Sequence, residues 1–176
     1  MDTPPKIAYY ITAHGYGHGT RSCDLLNALH AAAPEVPLVV TSDLPRHFLQ
    51  GRLPEAVQLR GGAFDVGLVQ KDSIQVDLDA SLAELDRLYA REEELIGQET
   101  RFLEREGISV VVADIPAIPL AAAQRAGRAN IATGNFGWDW IYADFTGHDP
   151  RWQVYAEKFR AVYAQTDLLL RQPFAE

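Results

Sequence analysis

Lys6-Ile7-Ala8-Tyr9-Tyr10-Ile11-Thr12, then His14-Gly15-Tyr16-Gly17-His18-Gly19, then Thr20 to Ala33 is the stretch that decides the fold. The first segment is a short apolar run between Pro5 and a Gly-rich turn, which is the pattern of a buried strand. Thr20 to Ala33 places Cys23, Leu26 and Leu29 or His30 on one stripe and stops at Pro34, the pattern of a helix. Strand, turn and helix in that order open an α/β unit, and the rest of the chain repeats the alternation. Val36 to Thr41 reads as a second strand, Leu44 to Leu53 as a short helix and Val57 to Leu59 as a weaker third strand. Gly61 to Val76 has no clear period and reads as a long loop, a feature often tied to function.

Downstream, Asp77 to Glu106 carries Leu78, Leu82, Leu85, Leu88, Leu95, Phe102 and Leu103 among many charges. This predicts an amphipathic helix with a solvated outer face and a break near Gly97. Ile108 to Ala113 is the cleanest strand. Ala117 to Ala126 is a small-residue helix whose start Pro119 should delay, and Asn130 to Thr133 is a further strand. Asn135 to Trp140 reads as neither strand nor helix, Arg151 to Gln165 as a helix, and Asp167 to Leu170 as a last strand. Alternating strands and helices predict a parallel sheet covered on both faces. Right-handed crossovers make it a Rossmann-like, doubly wound α/β domain. No repeat, low-complexity tract or linker interrupts it, so residues 1–176 read as one domain.

The formal net charge of −8 disfavours non-specific attraction to nucleic acid or anionic lipid. The single cysteine, Cys23, allows no intrachain disulfide and sits in a helical stripe, so it reads as core. Met1 to Pro5 lacks a signal-peptide layout, and no apolar stretch approaches the roughly 18 residues of a membrane span. A cytoplasmic protein is the expectation.

In such sheets ligands bind beyond the carboxyl ends of the strands. Those ends are His14 to Gly19, Ser42-Asp43, Asp114-Ile115-Pro116 and Thr133 to Asp139. In the first, Gly15, Gly17 and Gly19 let backbone approach a ligand, and the following helix offers unpaired N–H groups suited to an anion. Thr20 would cap that helix and Arg21 would add positive charge. His14 and His18 are candidate proton carriers, and Asp114 is the carboxylate expected to orient one of them. Asn135, Phe136, Trp138 and Asp139 combine aromatic faces with polar groups, which suits stacking on a sugar or nucleobase. Trp140 and Tyr142 read more readily as core.

Other chemistries are set aside. The glycines between His14 and His18 argue against a metal-binding helical pair, and no HExxH, Ser-centred elbow or phosphate loop is present. Gly15 and Gly17 with Asp43 imitate a dinucleotide fingerprint. Thr20 holds its third glycine position, however, and histidines would crowd a pyrophosphate. No metal and no cofactor are expected.

With these residues assembled, the chain resembles the amino-terminal, glycosyltransferase-like region of plant L-arabinokinases and their bacterial relatives. The likeness rests on Ala8 to Thr12 leading into His14 to Arg21, on Ala113-Asp114, on Asn135 to Tyr142, and on Leu169-Leu170-Arg171 with Pro173. That region is similar in turn to the acceptor-side half of two-domain GT-B glycosyltransferases. The resemblance implies that His14 or His18 deprotonates an acceptor hydroxyl and that Asp114 supports it. It implies a sugar or phosphorylated small-molecule ligand near Gly15, Gly17, Gly19, Thr20, Arg21, Asn135, Phe136, Trp138 and Asp139. It implies too that a nucleotide-sugar donor is held by a second, carboxyl-terminal half absent from this chain. No galactokinase-type domain is present, so kinase activity is not carried over. The alternatives are a non-catalytic sugar- or phosphate-binding module, and an assembly unit that pairs with a donor-binding chain or forms a homodimer through an exposed apolar patch.

Overall fold

The computed structural model describes residues 4–72 and 74–172. Six strands form one sheet: β1 (Lys6–Ile11), β2 (Leu38–Ser42), β3 (Gln58–Gly61), β4 (Ile108–Asp114), β5 (Ala129–Gly134) and β6 (Leu168–Arg171). Their order across the sheet is β3-β2-β1-β4-β5-β6 and every pairing is parallel. The chain winds outward from β1 to one edge, then returns to add β4, β5 and β6 on the other side. Between β1 and β4, therefore, the direction of winding reverses, and the loops at their carboxyl ends diverge to leave a crevice.

Among the described residues seven helices flank the sheet: α1 (Tyr16–Ala32), α2 (Arg46–Gln50), α3 (Leu78–Tyr89), α4 (Glu92–Arg105), α5 (Ala117–Arg125), α6 (Trp138–Ala143) and α7 (Arg151–Tyr163). Alternate residues of β1 feed opposite faces, as strand geometry requires. Ala8 and Tyr10 join a core with Leu103, Val111 and Leu120, while Tyr9 and Ile11 join another with Cys23, Leu26 and Val40. Each such fully buried aliphatic side chain contributes about 1.5–3 kcal/mol. A third cluster centres on Trp138, Tyr142, Trp152 and Phe159.

Several expectations are corrected. The first helix starts at Tyr16, not Thr20, so Gly17, His18 and Gly19 are helical. Its N-cap is Gly15, at φ +89° with no side-chain cap bond, and Thr20 caps nothing. The long amphipathic segment breaks at Ala90-Arg91 rather than at Gly97. Glu92, Glu93 and Glu94 open α4, where the positive end of the helix dipole favours them. Pro119 does not delay α5, because it takes the third helical position, where an N–H would have no intrahelical partner. Asn135 to Trp140 is part helix, since α6 begins at Trp138. β6 forms an edge strand and leaves Leu168, Leu169 and Leu170 about half exposed. Among the described residues, no helix is long and apolar enough to cross a membrane.

Candidate functional site

The parallel register sets Ile11 beside Asp114, so the turn after β1 and the carboxylate ending β4 meet at the crevice. Starting α1 at Tyr16 puts His18, Arg21 and Ser22 at i, i+3 and i+4, on one helical face. That face meets Asp114, whose side chain is fully buried. His18 Nδ1 lies 3.0 Å from Asp114 Oδ1. Arg21 Nη2 donates to both carboxylate oxygens at 2.9 and 3.1 Å, and Ser22 Oγ donates to Oδ2 at 2.7 Å. Tyr9 extends the chain by donating its hydroxyl to Ser22 Oγ at 3.4 Å, and burial pushes that phenol well above its ordinary pKa.

Arg21 Nη2 also lies 3.0 Å from His18 Nδ1. An ionised carboxylate only accepts, so the His18–Asp114 contact requires the proton on Nδ1. A hydrogen bond from Arg21 needs a lone pair there instead, so the ring's tautomer decides between the two partners. The His18 side chain is 11% exposed and meets the Phe136 ring edge-on at 5.5 Å. Arg21 reaches further and donates through Nη1 to Asn135 Oδ1 at 3.0 Å, tying the end of β5 to the same cluster.

His14 differs. No hydrogen bond from its ring to a carboxylate is seen among the described residues, and it packs edge-on against Trp138 at 5.3 Å. Burial lowers its pKa, and the neighbouring charge of His18 adds to the effect. Gly67, at φ +70°, closes over it so tightly that a side chain there would overlap the imidazole.

Two clefts flank the dyad. On the β1–β3 side, a cleft of about 650 Å³ is lined by His14, Gly15, Asp43, Asp65 and Gln70, with Val66 and Leu68. On the β4–β6 side, a cleft of about 260 Å³ is lined by Asn135, Phe136, Asp139, Trp140, Tyr163 and Arg171, among others. Asp139 there lies 3.7 Å from Arg160. Between Asp114 and this second cleft the backbone turns sharply through Ile115, a β-branched residue at φ +83°, a conformation that costs about 1–3 kcal/mol. Tyr163 fixes the turn by donating its hydroxyl to the Ile115 carbonyl at 2.7 Å.

Three expected site residues stand elsewhere. Trp138 is 1% exposed and presents no face to a ligand; it stacks on Tyr142 and supports His14 and Phe136 from beneath. Gly19 is a packing glycine, because a Cβ there would come within 2.5 Å of Leu44 Cδ1 and 2.8 Å of Phe48. Thr20 is half-buried in the helix body, away from its amino terminus. Of the two residues expected in the core, Tyr142 is buried but Trp140 is 48% exposed, at the rim of the smaller cleft.

Two residues were not anticipated. Ser22 becomes visible once the helix is known to start at Tyr16. Asp65, in the long loop, accepts the Trp138 indole N–H at 2.9 Å. Burial raises its carboxyl above the ordinary value, while hydrogen bonds from Thr12 and Trp138 and the charge of His18 pull the other way.

No protein-family model matches the chain. It is 31% identical over 174 residues to the L-arabinokinase of Arabidopsis thaliana, an alignment that takes in 95% of this chain and 16% of that protein. The chain therefore spans only a small part of the curated relative it matches. Among solved structures, MurG of Acinetobacter baumannii superposes with a TM-score of 0.55 at 11% identity, over 98% of this chain and 43% of that one. Arabidopsis thaliana UGT89C1 in complex with quercetin gives 0.56 at 12%, over 94% and 42%. The same protein with UDP-L-rhamnose gives 0.54 at 13%, over 96% and 44%. At such identities the likeness concerns the fold, and the fold is that of one domain of the GT-B glycosyltransferases.

Proposed function

We propose that this chain, a domain with the GT-B glycosyltransferase fold, is the acceptor-side half of a nucleotide-sugar-dependent glycosyltransferase with His18 as its base. The observation that carries the reading is the 3.0 Å contact between His18 Nδ1 and Asp114 Oδ1 at the crevice between β1 and β4. In the reaction, His18 Nε2 takes the proton of an acceptor hydroxyl. The freed oxygen forms a bond to the anomeric carbon of the donor sugar, and the nucleoside diphosphate leaves with the electron pair. Asp114 holds the imidazole in the required tautomer and stabilises the imidazolium that forms. His14 is the weaker candidate, because it has no orienting carboxylate and its burial disfavours the cation.

The test joins this chain to a donor-binding half and follows consumption of a UDP-sugar. His18→Gln should lower kcat about 10²–10⁴-fold. Asp114→Asn should lower it too, through loss of the tautomer, while His14→Gln keeps turnover within about tenfold. Unchanged turnover in His18→Gln removes the mechanism.

One observation favours a second reading, a binding module without turnover. Arg21 already bonds both oxygens of Asp114, so the carboxylate is shared with a guanidinium and is not reserved for His18. Ligand affinity retained in a joined protein that turns nothing over would support that reading.

A further inference from the structure

We propose that the cleft on the β1–β3 side is an acceptor subsite for a neutral, polyhydroxylated ligand, a sugar or sugar-like polyol. This rests on the reading of His18 as the base and specifies what that base deprotonates. The cleft opens beyond the ends of β1, β2 and β3, and at about 650 Å³ it falls within the roughly 300–1,000 Å³ of small-molecule sites. It reaches the dyad through packed rings: His14 in its lining meets Trp138, Trp138 meets Phe136, and Phe136 meets His18.

The lining selects the ligand class. Asp43 and Asp65 supply carboxylate oxygens, each able to accept from the hydroxyls of a vicinal pair. Gln70 adds donors and an acceptor. His14, whose cationic form burial disfavours, adds ring nitrogens able to hydrogen-bond a hydroxyl. Val66 and Leu68 give a short apolar patch suited to the C–H face of a sugar ring. Among the described residues that line the cleft, a phosphate group would meet two carboxylates and no cationic side chain, with the uncapped amino terminus of α1 at Gly15 as the counterweight. Arg21 is committed to Asp114 and Asn135, and Lys71 is turned 3.7 Å from Asp77. A flat aromatic ligand finds no Phe, Tyr or Trp among the lining residues.

The experiment is an amide NMR titration of the chain with a panel of neutral pentoses and hexoses, their phosphate esters, and quercetin. Neutral sugars should shift the amides of Ala13 to Gly15 and of Asp65 to Gln70, with a Kd on the order of 1 mM. The matching phosphate esters should bind at least about tenfold more weakly through charge repulsion, and quercetin should leave these amides unmoved. Asp65→Asn alters a buried group, so the surface variant Asp43→Lys provides the independent check. It should reverse the preference and favour the phosphate ester by about tenfold. The proposal is overturned if no neutral sugar moves these amides, or if a phosphate ester binds the unaltered chain more tightly. His18→Gln should still bind the sugar. Sugar binding without turnover in the joined protein would remove the glycosyltransferase reading alone. Turnover onto a non-sugar acceptor, with these amides silent to sugars, would remove the subsite alone.

Discussion

On the β1–β3 side of Asp114 the strand ends deliver His14, Asp43, Asp65 and Gln70, whereas on the β4–β6 side they deliver Ile115, Phe136, Trp140 and Leu169. One half of the crevice is polar and lies partly under a long loop. The other is aromatic and built on packed helices. They depend on different forces, since a buried polar group holds its place only through its partners, while an aromatic wall is held by its packing. Trp138 joins them, with its N–H on Asp65, its ring edge-on to His14 and Phe136, and its stack on Tyr142. The polar cleft should accordingly be the more fragile of the two.

The largest expected effect comes from removing that joint. Trp138→Ala should destabilise the protein by about 3–5 kcal/mol, as large aromatic truncations in cores do. Trp138→Phe keeps the stack but removes one of the hydrogen bonds to Asp65 and leaves that from Thr12, and should cost about 0.5–1.5 kcal/mol. Urea denaturation measures both. If the indole nitrogen is irrelevant, Trp138→Phe will match the unaltered protein and the polar cleft will owe nothing to this bond.

Next is the dyad itself. Asp114→Ala leaves Arg21 and Ser22 without their shared acceptor, and losing one partner of a buried pair costs about 3–5 kcal/mol. The Arg21 side chain is a third exposed, so solvent should hold the cost near the lower end. A loss well under about 1 kcal/mol, the worth of an exposed pair, would mean that the cluster contributes little to stability.

Asp65 carries a smaller effect of opposite sign. Its folded pKa is raised, so the folded state holds a proton that the unfolded chain has released as pH climbs past 3.8. The stability this contributes is present in acid and is lost as pH rises through the folded value. Asp65→Asn removes that loss and still offers Trp138 an acceptor. Its melting temperature should exceed that of the unaltered protein by about 2–4 °C at pH 7, with the gap closing toward pH 4. A gap that widens in acid would contradict the burial effect. Smallest of all, Trp140→Ala at the exposed rim of the aromatic cleft should change stability by less than about 0.5 kcal/mol. A clear loss would show that this wall is structural.

The doubly wound fold was legible because strand and helix periods alternate along the whole chain, and Asp114 was legible as a carboxylate ending a buried strand. The choice between His14 and His18 was not. The glycines at positions 15, 17 and 19 conceal a helix that starts at Tyr16, and only that start aligns His18 with Arg21 and Ser22. Trp138 was misplaced for a related reason. In α6 the i, i+4 pair Trp138 and Tyr142 turns inward while Trp140 turns outward, a distinction invisible when the segment reads as irregular. Asp65 had no local signal, because the path of its loop is set by a residue 73 positions away.

The most direct test of the account is the tautomer of His18, read from its ring nitrogens by long-range ¹H–¹⁵N NMR at a pH where the ring is neutral. Asp114 and Arg21 compete for Nδ1, each at 3.0 Å. The account predicts a proton on Nδ1, donated to Asp114, with Nε2 unprotonated and free to act as a base. A proton on Nε2, with Nδ1 accepting from Arg21, would contradict it.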